Sequence, residues 1–242
     1  MNDRHIYQIT GADRFDFLQG LVTNDIRPDS GLTYAALLTP QGKYLADFFL
    51  LPMDDYILLD VHADLAPSLL QRLTMYKLRA DVQITDAALK LERGIDNPPA
   101  DAYADPRHPA LGWRRYTDAP GSEPSVNWDA IRVEHCIPET GIELTPDTYI
   151  LEAGFERLNG VDFKKGCFVG QEIVARMHHK TTLQKGLRKV RVRGDAAVGD
   201  QITSNEKPAG QLFTQSDGQG IAFLRFNRTE NMKAGEATLE LI

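Results

Sequence analysis

Hydrophobic residues in the first half of the chain switch between helical and strand-like spacing. Phe15, Leu18, Leu21 and Val22 fall on one helical stripe, and two apolar runs flank a TPQG turn at 39–42, which predicts a hairpin. The order of these helices and strands predicts an α+β region. The predicted elements are helices over 13–25 and 65–78 and strands over 34–38, 43–51, 55–61 and 80–86.

The middle of the chain is richer in turn residues. Residues 97–112 carry several prolines, which predicts a connection without regular structure. Residues 128–138 predict a short helix that ends at Pro138. Helical spacing returns over 170–180, with the apolar residues along one side.

The last sixty or so residues have a different pattern, because short alternating strands follow one another between Gly, Asp and Asn turns. Such a series predicts a small β-barrel or sandwich. We therefore predict two domains, 1–182 and 183–242, with the boundary near residue 182. The predicted strands cover 187–193, 199–203, 209–215, 220–226 and 237–242.

Composition narrows the class of protein. The 242 residues carry a net charge of −7, which argues against a broad nucleic-acid surface, and direct nucleic-acid binding is not expected. No apolar run approaches the ~20 residues of a membrane helix, so no membrane partner is expected. The first residues show neither an apolar signal region nor an Arg- and Ser-rich leader, so the expected location is the cytoplasm, or the mitochondrial matrix in a eukaryote.

Several common catalytic and metal-binding motifs are missing from the sequence. The chain has no GxxxxGK[ST] phosphate loop, no GxGxxG after a strand and no HExxH, and we expect no metal site. The two cysteines, Cys136 and Cys167, form no CxxC pair. In a reducing compartment both are expected to be free thiols.

Cys167 lies in an unusual stretch, KKGCFVGQE at 164–172. It precedes a predicted helix start, whose free N–H groups carry partial positive charge, and it follows Lys164 and Lys165. Both features favour the thiolate over the thiol, so Cys167 is a candidate reactive residue. The alternative is a small buried hydrophobe, since free cysteines are often buried.

The same stretch carries a family resemblance. The run KGCFVGQE resembles the K-G-C-[FY]-x-G-Q-E signature of the YgfZ/Iba57 family, which is similar to the T-protein (aminomethyltransferase) of the glycine cleavage system. Three further segments resemble family motifs: GADRFDFLQGLVTNDI at 11–26, LLTPQGKYLADFFL at 37–50 and YKLRADV at 76–82. The signature residues here are Lys165, Gly166, Cys167, Phe168, Gly170, Gln171 and Glu172.

The resemblance implies a T-protein-like folate-binding region of sheets and packed helices, followed by a small C-terminal β-barrel. It implies tetrahydrofolate or a one-carbon derivative as the bound cofactor. It also implies iron–sulfur enzymes as client partners, including a radical enzyme that thiomethylates tRNA.

The resemblance also implies particular site residues. Glu134 matches the glutamate that binds the pterin in T-proteins, and Asp47 matches an aspartate near the reactive folate nitrogens; the alternatives are a solvated helix carboxylate and an outward residue at the hairpin edge. The further candidates are Asn24 and Asp25 for lining the cavity, and Arg79, Lys164 and Lys165 for holding the anionic tail of folate. The alternative for Arg79 is a structural role, in which it pairs with Asp81 or Asp86 at the surface.

Three functions compete at this point. The first is a folate-binding accessory protein for iron–sulfur enzymes, without turnover of its own, in which Cys167 supplies a reactive thiol. The second is a tetrahydrofolate-dependent aminomethyl or methyl transferase, in which Asp47 assists at the folate nitrogens. The third is an iron–sulfur scaffold, which with only two cysteines requires a cluster site shared with another subunit or a small thiol.

Overall fold

The computed structural model describes residues 3–121, 124–180 and 182–242. The chain forms two compact units, one of residues 1–126 and 156–173 and the other of residues 127–155 and 174–242. The chain therefore passes from one unit to the other more than once. The division into two domains at residue 182 stays a prediction.

The first unit is built on five strands, β1 (Arg4–Thr10), β2 (Thr33–Leu38), β3 (Tyr44–Pro52), β4 (Ile57–His62) and β5 (Gln83–Asp86). They form an antiparallel sheet with the order β2-β3-β4-β1-β5. Two helices, α1 (Arg14–Gln19) and α2 (Ala66–Lys77), accompany the sheet, and a 3₁₀ turn at Ala63–Leu65 leads into α2.

The core of this unit forms where apolar side chains of the sheet meet those of α2. Leu69 and Leu73 of α2 are buried against Ile9, Phe48 and Leu59 from three strands. Full burial of each such side chain is worth about 1.5–3 kcal/mol relative to its exposure. The hairpin, the third strand and α2 were all predicted from this hydrophobic pattern.

The helix predicted over 13–25 is too long, because α1 ends at Gln19. Thr23 explains part of the difference. Its hydroxyl donates to the Gly160 carbonyl at 2.7 Å and accepts from the Ala36 N–H at 2.8 Å, so it fixes an extended turn in place of another helical turn. Leu18, Leu21 and Val22 are nonetheless buried, as the stripe predicted.

A small three-stranded sheet completes the first unit, with strands β6 (Lys90–Gly94), β7 (Tyr103–Ala104) and β8 (Trp113–Thr117) in the order β6-β8-β7. The 97–112 segment, predicted to be irregular, contains β7 and a 3₁₀ turn at Pro109–Leu111. Gly112 ends that turn at a φ of 64°, where an added Cβ would lie 2.1 Å from the Gly94 carbonyl oxygen.

Two more helices follow, α3 (Trp128–His135) and α4 (Gln171–Lys180). Helix α3 ends before Pro138, because Cys136 adopts a left-handed conformation with φ of 50° and the Ile137 N–H donates to the Arg132 carbonyl at 2.8 Å. Among the described residues, none of the helices has the length and apolar character needed to cross a membrane.

The C-terminal strands are β9 (Lys185–Arg193), β10 (Gln201–Ser204), β11 (Lys207–Ser216), β12 (Gln219–Arg225), β13 (Met232–Ala234) and β14 (Ala237–Leu241). They form a closed antiparallel barrel with the order β10-β11-β12-β9-β14-β13. The predicted barrel is confirmed, and the short strand β13 is an addition to the prediction. Along β9 the buried residues Val190 and Val192 alternate with the exposed residues Arg191 and Arg193.

Candidate functional site: an anchored loop that exposes Cys167

Residues 162–170, which we call the motif loop, are fixed to the first unit by a buried lysine. The Lys165 ammonium donates to the carbonyl oxygens of Gln19 at 2.9 Å, Val22 at 2.5 Å and Asn24 at 3.0 Å. Lys165 is only 7% exposed. An ammonium group has three N–H donors, and these three carbonyls use them all.

The charge of Lys165 is largely shielded from solvent. Its Nζ lies 5.3 Å from the centre of the Phe168 ring, within range of a cation–π interaction. Burial lowers the pKa of Lys165 to about 8, and the carboxylates of Asp25 and Asp162 oppose that shift. These contacts favour a structural role for Lys165 over the predicted contact with a folate tail.

Further bonds at the start of the motif loop reinforce this anchor. The Asp162 N–H donates to the Thr23 carbonyl at 3.0 Å, and the Asp162 carboxylate accepts from the Lys164 N–H at 2.7 Å. Lys164 itself is exposed. The loop is therefore held both through its backbone and through Lys165.

The far end of the motif loop packs against the hairpin between β2 and β3. Gly170 has a φ of 84°, and a Cβ there would lie 2.6 Å from the Thr39 carbonyl oxygen and 3.1 Å from the Gly42 Cα. Gly42 has a φ of 74°, and its Cβ would lie 2.8 Å from the Ile173 Cβ. Two glycines are thus required for the TPQGK turn and the CFVGQE run to touch.

Cys167 is exposed, although Lys165 before it and Phe168 after it are both buried. Phe168 is 8% exposed, and the Gln171 side chain donates to the Gly166 carbonyl at 3.3 Å. The alternative of a buried structural cysteine is therefore wrong. Cys136 is half-buried, and the two cysteines do not form a disulfide with each other.

Asn24 and Asp25 lie beside the Lys165 anchor. The Asn24 side-chain amide donates to the carbonyls of Tyr34 at 2.9 Å and Asn159 at 2.7 Å, and its oxygen accepts from the Asp25 N–H at 2.9 Å. The Asp25 carboxylate accepts from the Gln19 side chain and pairs with Arg27 at 2.7 Å. Both residues hold the turn that supplies carbonyls to Lys165.

Asp47 faces inward from β3 and is 4% exposed, so the alternative of an outward residue at the hairpin edge is wrong. Its carboxylate accepts from the Tyr34 hydroxyl at 3.0 Å and from the Tyr44 hydroxyl at 2.6 Å. Burial and the nearby Asp47 charge raise the pKa of Tyr34 well above its ordinary value, which keeps this hydroxyl a donor.

The remaining two candidates, Arg79 and Glu134, lie outside the motif loop. Arg79 is exposed after the end of α2, and its alternative partners are engaged by other groups: Asp81 accepts from the Ala12 N–H at 3.2 Å and Asp86 pairs with His5 at 2.7 Å. Glu134 lies on α3 in the second unit, where its half-exposed carboxylate pairs with Lys189 of β9 at 2.8 Å. The hydrogen bond from Lys189 lowers the pKa of Glu134.

A buried ionic network in the first unit was not predicted from the sequence. The Asp60 carboxylate accepts from Arg4 at 2.7 Å, Arg114 at 2.5 Å and the Tyr116 hydroxyl at 3.0 Å. Burial opposes ionisation of Asp60, but the two guanidinium groups outweigh it and lower its pKa. One sequence signal was present, since Asp60 interrupts the apolar strand ILLDVH.

The network continues over the face of Phe49. Arg114 reaches Asp105 at 3.3 Å, and Asp105 pairs with Arg107 at 2.8 Å. The guanidinium carbon of Arg114 lies 3.9 Å from the centre of the Phe49 ring and that of Arg107 lies 4.9 Å from it. Arg107 also lies 5.6 Å from the ring of Tyr34, the partner of Asp47, so the network extends to the surroundings of that carboxylate.

Comparison with known proteins relates the chain to iron–sulfur assembly factors. The mitochondrial iron–sulfur cluster assembly factor IBA57 homolog of Mycosarcoma maydis is 30% identical over 75% of this chain and 54% of that protein. The mouse and human IBA57 proteins are 27% and 28% identical, each over 93% of this chain and 76% of the relative. The resemblance to the Iba57 proteins is confirmed. The chain spans only about half of the Mycosarcoma IBA57 homologue.

Two further comparisons concern the fold of this Iba57-like chain. The family model for the C-terminal β-barrel domain of CAF17 matches residues 184–242. The glycine cleavage system aminomethyltransferase T from Bartonella henselae superposes with a TM-score of 0.78, covering 100% of this chain and 83% of that chain at 13% identity. The predicted T-protein-like fold with a C-terminal barrel is confirmed.

Proposed function

We propose that this chain is an accessory protein for the assembly or maintenance of iron–sulfur enzymes, that it binds a reduced folate, and that Cys167 is its reactive group. The observation that carries the proposal is the exposure of the Cys167 thiol on a loop anchored at both ends. The mouse and human relatives are named as iron–sulfur cluster assembly factors, which supports the role.

The chemistry of a thiol suits this role. A thiolate is a soft ligand for iron and a strong nucleophile, and both properties require that it be reached from solvent. In this proposal the iron–sulfur cluster is destined for a client enzyme and is not a permanent cofactor of this chain. A cluster held by four cysteine thiolates would also need ligands from a partner protein or a small thiol. We therefore propose iron–sulfur client enzymes as partners. The resemblance to the YgfZ/Iba57 family adds a tRNA-thiomethylating radical enzyme to this proposal, with no direct contact between this chain and the tRNA.

The residues present fit a folate in one respect. Glu134 offers a half-exposed carboxylate, which can accept paired hydrogen bonds from the ring N–H and amino group of a pterin. Folate would supply a carried one-carbon unit. Asp47 already accepts from two tyrosine hydroxyls, so a catalytic part for Asp47 is the weaker element of the proposal.

Loss of the Cys167 thiol tests the accessory role. In cells whose own gene for this protein is deleted, we expect the Cys167→Ser variant to fail to restore the activity of iron–sulfur enzymes. The matched control, Cys136→Ser, is expected to restore that activity, because Cys136 is half-buried at the end of α3. Full restoration by Cys167→Ser at equal protein levels would contradict the proposal.

Calorimetry with tetrahydrofolate tests the folate site. We expect Glu134→Ala to weaken binding by about tenfold or more, because a paired hydrogen bond to a carboxylate is lost. Glu240→Ala is the matched control, since Glu240 is also an exposed carboxylate paired with a cation of β9, Arg191, at 2.9 Å. Equal affinity of the wild type and Glu134→Ala would remove Glu134 from the site.

The second candidate function is a tetrahydrofolate-dependent aminomethyl or methyl transferase. The observation that favours it is the similarity of the fold to aminomethyltransferase T. The two functions predict different results for Cys167→Ala. A transferase would continue to turn over a one-carbon unit in this variant, whereas the accessory role would be lost. The cytoplasm or the mitochondrial matrix remains the expected location, and the mouse and human relatives are named as mitochondrial proteins.

A further inference from the structure

An exposed leucine at the end of α2 has an unfavourable backbone conformation. Leu78 follows the last residue of the helix with φ of 47° and ψ of −105°. Residues with a Cβ rarely adopt positive φ, and because this ψ also lies outside the left-handed helical region, glycine is the residue that tolerates the conformation. The Leu78 side chain is 87% exposed, the most exposed of the large hydrophobic residues described. Packing within the chain therefore does not compensate for the strain.

The turn that carries Leu78 is held rigidly. The Ala80 N–H donates to the Lys77 carbonyl at 2.8 Å, and Tyr76 and Ala80 on either side pack against the core. Asp81 and Asp13 are linked by two hydrogen bonds, from the Asp81 N–H to the Asp13 carboxylate at 2.8 Å and from the Asp13 N–H to the Asp81 carbonyl at 3.2 Å. Leu78 is thus presented in one fixed position.

Positive charge and a second apolar side chain surround Leu78. Met75, one turn earlier, is 69% exposed. Arg72, Lys77 and Arg79 form no ion pair with any residue in the ranges that the structure describes. The nearby carboxylates of Asp13 and Asp81 already accept from backbone N–H groups. Two exposed hydrophobic residues and three cations without an ion pair in the described part of the chain thus lie within residues 72–79, on a chain whose net charge is −7.

We propose that the α2 tip, formed by Arg72, Met75, Lys77, Leu78 and Arg79, is the docking surface for a protein partner with an apolar depression rimmed by Asp and Glu side chains. Leu78 enters the depression, and the cations meet the acidic rim. An apolar side chain that fills a pocket can anchor an interface, and complementary charges around it favour the correct partner and speed association. This inference does not depend on Cys167 or on folate.

A protein suits the tip better than a membrane or a nucleic acid. Two apolar side chains bury too little surface to hold a protein on a bilayer, and the net charge of −7 opposes binding to anionic lipids. Tyr76, the aromatic residue of this stretch, is partly buried against the core, so bases would find little ring surface there on which to stack. An acidic protein surface complements both the charge and the apolar anchor.

The test begins by identifying the partner with a photo-crosslinking residue at position 78 of the full chain. The matched control carries the same residue at position 198, where Val198 is 60% exposed on the second unit. Capture only supplies the partner. Its purified form is then titrated with the wild type, Leu78→Gly and Arg79→Glu, and with Arg193→Glu as a charge control, since the Arg193 side chain is 71% exposed.

We expect Leu78→Gly and Arg79→Glu each to weaken binding by about tenfold or more, and Arg193→Glu to leave it unchanged. Leu78→Gly should not lower the midpoint of thermal unfolding, because glycine tolerates this φ. Four results would each overturn the proposal: no protein crosslinked at 78 beyond those crosslinked at 198, unchanged binding by either tip variant, a lower unfolding midpoint for Leu78→Gly, or Leu78-dependent binding to phosphatidylserine vesicles without a protein partner.

Discussion

Replacement of Arg114 by methionine is expected to lower the free energy of unfolding by about 3–5 kcal/mol. Arg114 is 3% exposed, and its guanidinium group contacts both Asp60 and Asp105. Methionine retains much of the side-chain volume but leaves Asp60, among the residues that the structure describes, with only Arg4 and the Tyr116 hydroxyl as side-chain partners. A buried carboxylate that loses a principal counter-ion is the source of the cost.

Arg115→Met is the matched control, because the neighbouring Arg115 side chain is 31% exposed and pairs with Glu92 and Asp101 near the surface. Its loss should cost less than about 1 kcal/mol. Urea unfolding followed by far-ultraviolet circular dichroism measures both variants. Equal destabilisation by the two substitutions would mean that the buried network does not stabilise the first unit.

The Lys165→Met variant is expected to lose on the order of 3 kcal/mol of unfolding free energy and to free the motif loop. Three backbone carbonyls lose their shared donor, and an unsatisfied buried polar group costs about 1–3 kcal/mol. Relief of the cost of burying a charged lysine reduces the total. Hydrogen exchange in peptides covering 160–170 should therefore become faster, whereas exchange in β3 and β4 should change little.

Lys164→Met provides the comparison for this variant. Lys164 is exposed and precedes Lys165 directly, so its replacement removes the same charge without removing the anchor. We expect wild-type hydrogen exchange across 160–170 in Lys164→Met. If the two lysine variants exchange alike in this segment, the three carbonyl contacts do not hold the loop.

Periodicity was sufficient to predict the elements whose side chains alternate regularly between core and solvent. Helix α2 and barrel strands such as β9 fall in this group. The hairpin of β2 and β3 does not, because both strands are buried along almost their whole length, and it was predicted instead from two apolar runs around the TPQG turn. The length of α1 could not be predicted, because Thr23 hydrogen-bonds to Gly160, which lies 137 positions away along the chain. Local spacing contains no information about such a partner.

The candidate site shows the same limit. The flanking glycines and lysines were enough to single out Cys167, and the sequence also showed that Asp47 and Asp60 interrupt apolar strands. It did not show that Tyr34 and Tyr44 bind Asp47, or that Arg114 binds Asp60. The role of Lys165 could not be predicted either, because the carbonyls that accept its hydrogen bonds precede it by 141 to 146 positions along the chain.

Time-resolved alkylation of the native protein with iodoacetamide, with peptide mapping of both cysteines, tests most directly whether the motif loop presents its thiol to other molecules. Exposed Cys167 is expected to be modified several times faster than half-buried Cys136, and both should react alike once the protein is unfolded in urea. Equal rates in the native protein, or faster modification of Cys136, would contradict the proposed role of Cys167.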